Sequence, residues 1–192
     1  RSNPGVSMTL QEGGSSELVA DVGADRIAVA FVRGSVAASE GVVAYALLEE
    51  PMVAALPATH RLASGGGHRL VLADLAAEPF VLYRRSSGPG LYDAIVGACH
   101  AAGFAPRMAQ EAPRITATLN LIAAGLGVTV VPQSLSGQQA EDIVYRPLAA
   151  PVALVAPLKL ACRNLEHAAA ARNFVALVRG EASKLGKARK GR

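Results

Sequence analysis

Residues 80–97 read FVLYRRSSGPGLYDAIVG: four strand-forming side chains run into Arg84 and Arg85, then Ser86, Ser87, Gly88, Pro89 and Gly90, and a helical pattern opens at Leu91. A strand that ends in a small polar loop and restarts as a helix leaves backbone N–H groups without intrahelical partners, aimed outward. Such a turn can receive an anion, a carboxylate in particular. The gain is about 0.3 to 1 kcal/mol at the surface and about 2 kcal/mol when partly buried. Pro89 suits the first helical position. Only one of Arg84 and Arg85 can add a bidentate partner, because neighbouring side chains on a strand face opposite ways. The same turn also fits a plain helix start, in which Ser86 or Ser87 does no more than cap the first turn.

Other chemistries fit less well. A phosphate-gripping loop of the G-x-x-x-x-G-K-[ST] kind needs a lysine that does not follow Gly90. A serine nucleophile elbow needs G-x-S-x-G, and both RSSGPG and QSLSG (133–137) lack the leading glycine. His60, His68, His100 and His167 are scattered, and Cys99 adjoins His100 rather than standing at ligand spacing, so no metal and no cofactor is expected. Cys99 and Cys162 read as buried reduced thiols. Glu111 and Arg114 flank a helix start and suit an ion pair better than acid–base work, while Glu49 and Glu50 read as an exposed strand edge and His60 with Arg61 as a solvated strand end.

These side chains need a frame, and the chain alternates strand and helix patterns. VSMTLQE (6–12) alternates like a half-buried strand, Ser15 or Ser16 can cap a helix with Leu18, Val19 and Val22 on one face, and RIAVAFVRG (26–34) is a buried apolar run. EPMVAALP (50–57) and PFVLY (79–83) read as strands, 89–102 as a helix stopping at Gly103. Ile115, Leu119, Ile122 and Leu126 recur at helical spacing, Gly125 and Gly127 end the helix, and Val128 to Val131 form a strand cut off by Pro132. PLKLACR (157–163) and 165–179 close the pattern as strand and helix. This alternation predicts α/β architecture with open parallel sheets and ligands beyond the strands' C-terminal ends.

Composition sets limits. With 192 residues, 51% of them apolar, the chain can bury one large core or two small ones. The net charge of +4 sits wholly in the last twelve residues, where Lys184, Lys187, Arg189, Lys190 and Arg192 face only Glu181. The body is therefore balanced and carries no DNA-binding footprint, and 181–192 read as a solvated basic tail. No apolar run is long enough for a membrane span and no export signal begins the sequence, so the cytoplasm is the default expectation.

Taken in order, NPGVSMTLQEGGSSELVADVGADRIAVAFVRG, LLEEPMVAALPATHRLA, LADLAAEPFVLYRRSSGPG and LNLIAAGLGVTVVPQSL resemble the effector-binding domain of LysR-type transcriptional regulators, in the branch of aromatic-catabolism regulators. The match covers residues 4 to about 179. The resemblance implies two Rossmann-like α/β lobes of the periplasmic-binding-protein type (type 2), joined by two crossing segments, with an effector in the cleft. Lobe one would comprise 1–48 and 144–180, lobe two 49–143, and 181–192 would be a basic, disordered tail. Effector contacts carried over by position are Ser86, Ser87, Gly88, Pro89 and Leu91; Arg33, Gly34 and Ser35; Glu111 with Ala112; and Pro132 with Gln133; Arg84 joins them as the basic partner that the turn itself suggests.

The implied function is that of a sensor rather than an enzyme. It would bind a small effector, aromatic or dicarboxylate, as a homodimer or homotetramer, and contact DNA only through an N-terminal domain that this chain does not include. An exported solute-binding protein and an enzyme on a similar two-lobed fold are the alternatives. Where some relatives carry a proline and a serine, this chain has Arg84 and Arg85. The family's first central strand precedes the match, so the sequence is expected to be part of a longer polypeptide, since a sheet without its central strand leaves apolar edges unpaired.

Overall fold

The computed structural model describes residues 5–34, 41–64, 69–138, 141–149, 154–163 and 168–190. It divides into two compact units: Arg1–Val32, Val36–Leu48 and Leu158–Arg192 form the first, Arg33–Ser35 and Glu49–Pro157 the second. The α/β class and the two crossing segments are as expected. The chain passes from unit to unit inside strand β2 (Val43–Pro57) and strand β7 (Val155–Cys162). Residues 144–157, assigned to lobe one on sequence, lie in the second unit. The reason is strand β6 (Ile143–Pro147), which pairs with the second half of β2, Ala54 opposite Arg146.

In the first unit, helix α1 (Ser15–Gly23) sits on strand β1 (Val29–Arg33) and β7, with Val19 and Val22 against Ala30, Val32 and Ala161. Gly14 is the N-cap, and its N–H donates to the Glu17 carboxylate at 3.4 Å, so neither Ser15 nor Ser16 fills that position. The other face of the strands carries the alternate residues, Val29, Leu160 and Cys162, under helix α4 (Ala169–Lys190) and its Val175. The Arg179 guanidinium stacks 4.1 Å over the Tyr45 ring. Two sequence expectations fail here. Residues 181–190 continue α4 instead of forming a loose tail, and Ala182 is buried. Residues 6–12 form no strand, and Val6, Met8 and Leu10 are exposed. A strand is stable only where a neighbour completes its hydrogen-bond ladder, and no described strand does so there.

In the second unit, β2 is flanked by strand β5 (Thr129–Pro132) and β6, both antiparallel to it, while strands β3 (Pro79–Tyr83) and β4 (Arg107–Ala112) pair in parallel. The sheets are therefore mixed rather than uniformly parallel. A long strand that enters from the other unit meets β5 and β6 head to tail, which the alternation of strand and helix patterns could not show. Every residue from Phe80 to Tyr83 is buried, as a strand covered on both faces requires. Helix α2 (Pro89–Ala101) packs Leu91, Ile95, Ala98 and Cys99 against Leu56, Leu72, Phe80 and Leu82. Helix α3 (Ile115–Ala123) places Leu119 and Ile122 against Val53, Val81, Val131 and Ile143. Each fully buried Leu or Ile contributes about 1.5 to 3 kcal/mol, and these contacts fix where α2 starts.

Candidate functional site

β3 and β4 run in parallel, with Leu82 beside Glu111 and Tyr83 beside Ala112, so their C-terminal ends open at the same level. The Arg84 N–H donates to the Ala112 carbonyl at 2.9 Å, and the Ser87 N–H to the Arg84 carbonyl at 3.0 Å, which closes the turn. Arg85 is spent on structure. Its Nε and Nη2 donate to the two Asp93 oxygens at 2.7 and 3.0 Å and hold the turn to the first turns of α2. This pair keeps the Asp93 carboxyl below its ordinary range. Arg84 and Ser86 are exposed and Ser87 half-buried.

Gly88 is the N-cap of α2, Pro89 takes the first helical position, and no side chain caps the helix. The capping expectation for Ser86 and Ser87 therefore fails, and neither hydroxyl is used on the helix end. Pro89 has no N–H; those of Gly90 and Leu91 belong to the first turn, where no intrahelical acceptor exists.

The loop after β1 meets this first turn. Gly34 has φ +81°, and a β-carbon on it would lie 2.8 Å from the Gly90 carbonyl carbon and the Leu91 nitrogen, so only glycine fits. Its N–H donates to the Pro157 carbonyl at 3.0 Å. The adjacent Arg33 donates through Nη2 to Glu50 Oε2 at 2.9 Å and Ser134 Oγ at 3.3 Å. The Glu50 second oxygen accepts the Ser134 N–H at 2.7 Å. Burial by itself would push the Glu50 carboxyl up, but the Ser134 amide and the Arg33 guanidinium outweigh it and hold it below its ordinary value. Glu50 is thus the opposite of an exposed strand edge: it is 3% exposed and ties the loop after β1 to the turn after β5.

The remaining expected residues scatter by role. Pro132 is buried at the end of β5, Gln133 is exposed in the 3-10 turn that follows, and Glu111 is exposed at the end of β4. Leu91 is buried in the core and serves packing. Ser35 lies outside the described residues, as do His68 and His167. His60 and Arg61 are no solvated strand end. Both hold the half-buried Glu78, His60 Nε2 at 3.2 Å and Arg61 Nη2 at 2.6 Å. Among the described residues no group of three His, Cys, Asp or Glu side chains could hold a metal ion.

Three residues escaped sequence reasoning: Glu50 as a clamp, Ser134, and Tyr83. The Tyr83 ring lies under Gly88, where a β-carbon would come within 2.8 Å of its Cε2. Its hydroxyl is buried and makes no hydrogen bond, which costs about 1 to 3 kcal/mol of desolvation. Burial pushes the phenol far above its usual range, so it stays protonated and can donate. The only legible signal was a tyrosine ending an otherwise apolar run. The first-turn amides of α2 and the two serine hydroxyls thus gather donors at one turn, suited to an oxygen-bearing anion, over the ring of a tyrosine whose hydroxyl is enclosed. The first unit has a shallow groove of about 530 Å³ lined by Ala46, Leu47, Ala176, Arg179, Gly180, Ala182 and Ser183, where the single charged group is already stacked on Tyr45.

A family description, the LysR substrate binding domain, matches residues 1–183. The chain is 30% identical over 174 residues to the uncharacterized HTH-type transcriptional regulator YnfL of Escherichia coli (strain K12), covering 91% of this chain and 58% of that protein. Among solved structures it resembles full-length CbnR complexed with its target DNA, with a TM-score of 0.79 and 27% identity over 94% of this chain and 62% of that one. The effector binding domain of QuiR, in complex with shikimate, shares the fold alone, with a TM-score of 0.82 at 17% identity over 95% of this chain and 85% of that one. The chain thus spans about three fifths of the length of the curated relative.

Proposed function

The chain belongs to the family of LysR substrate-binding domains, and from that membership we propose that it is the effector-sensing part of a transcriptional regulator whose ligand is a small carboxylate. The observation that carries the reading is the start of α2. A helix N-terminus without a side-chain cap is approached so closely by Gly34 that a β-carbon there would clash with it, with Ser86 and Ser87 beside it and not engaged as caps. Backbone amides and hydroxyls there favour an anionic oxygen. A catalytic reading finds less support, because the adjacent arginines cannot accept a proton and the Asp93 carboxylate has both oxygens engaged by Arg85.

The effector acts by preferring one conformation of the regulator, and the DNA-binding portion reads the shift. Taking a two-state equilibrium from 1:99 to 99:1 requires a preference of about 5.5 kcal/mol. Calorimetric and thermal-shift screening of small aromatic and aliphatic carboxylates, shikimate among them, tests this. At a ligand concentration of about 100 times Kd, the expected stabilisation is about 2.7 kcal/mol. Replacing Ser86 and Ser87 together with Ala should abolish the ligand-induced shift and leave the unliganded midpoint nearly unchanged. A shift that survives the double substitution removes the turn from the binding surface.

A further inference from the structure

Resting on that reading, we propose that the Tyr83 hydroxyl is the specificity-determining donor of the sensor, reserved for an oxygen acceptor of the effector that docks at the first turn of α2. The side chain is 9% exposed, and its oxygen is enclosed yet has no hydrogen-bond partner. Native interiors satisfy nearly all such groups, so a phenol left unpaired at the end of PFVLY, where Phe would fill the same volume, needs a reason. Its surroundings supply one. The ring lies beneath Gly88, the N-cap residue, and the Asp93 carboxylate that meets the turn already accepts from Arg85 with both oxygens. The phenol itself is left with no acceptor. A carboxylate or carbonyl oxygen arriving from a ligand completes it.

The enclosed hydroxyl also says how a ligand reaches it. The turn that ends at Gly88, over the ring, is tied to α2 by one exposed ion pair, and an oxygen acceptor reaches the hydroxyl only by displacing part of it. An effector that lacks an acceptor at this point leaves the phenol unpaired and is discriminated against, as sites built around a buried polar group do.

The test compares the chain as it stands with Tyr83→Phe, using the carboxylates that shift the wild type in screening, with shikimate and benzoate as starting probes. Two results are expected together: an unliganded unfolding midpoint equal to or above wild type, because an unpaired hydroxyl has been removed, and an affinity at least tenfold weaker for the best carboxylate. Unchanged affinity overturns the proposal, and so does a lowered midpoint without ligand, which would mean that the hydroxyl has an internal partner. If no carboxylate shifts the wild type, the proposed function fails and the inference falls with it; a wild-type response that Tyr83→Phe leaves intact sinks the inference alone.

Discussion

Glu50 is the residue on which the loops around the start of α2 depend. Its carboxylate satisfies Arg33 on one side and the Ser134 amide on the other while almost wholly buried. Removing one partner of a buried pair leaves the other uncompensated. Because the Arg33 side chain keeps 26% exposure, solvent absorbs part of that penalty. Glu50→Ala should therefore cost about 2 to 3 kcal/mol, read by denaturant unfolding. The pH dependence has a definite sign. A carboxyl lowered from its ordinary 4.5 in the folded state adds stability above that value and loses it as pH falls through the lowered one. Wild-type stability should drop more steeply than that of Glu50→Gln between about pH 5 and pH 3, and parallel curves would contradict the clamp. At Gly34, an Ala substitution adds a β-carbon into α2 backbone at positive φ. That strain, about 1 to 3 kcal/mol before the overlap is counted, should weaken carboxylate binding as well as stability.

At the scale of elements, α2 matters because its body and its start are fixed by different means. Its body is anchored by buried side chains, and Ile95→Ala should cost about 2 to 5 kcal/mol in chemical unfolding. Its start is fastened to the turn by the exposed Arg85–Asp93 pair. Arg85→Ala should scarcely change the unfolding midpoint, and any difference should vanish in high salt. A carboxylate affinity that changes far more than the midpoint would show that the pair positions the turn. The strand β4 was not legible because exposure of every residue from Arg107 to Glu111 removes the alternation that reveals a strand. The end of α4 was missed for a related reason: a charged composition suggested a solvated tail, yet helical spacing carries Ala182 into a buried position.

For the whole molecule, a regulator that senses a carboxylate should show ligand-dependent thermal stabilisation that scales with the logarithm of ligand concentration, and its absence across a broad panel of carboxylates would refute the proposed function. The α/β alternation was legible in the chain, while its division into two lobes came only from the family resemblance. Buried strands such as PFVLY and amphipathic helices such as that at Ile115 announce themselves through periodicity, which short-range packing imposes. The turn RRSSGPG likewise marked a helix start by its glycines and proline, which are local backbone requirements. The roles of Glu50, Tyr83 and Arg85 were not legible. Whether a carboxylate is an exposed edge or a buried clamp, whether a phenol is paired, and which of two arginines is already engaged all depend on residues brought together from distant positions in the chain. Thus Glu50 meets Ser134, 84 residues away. Local sequence determined the elements and the kind of turn, because backbone propensity acts over a few residues. Tertiary structure alone decided which charges are neutralised and which donors stay open, because desolvation and pairing are set by neighbours in space.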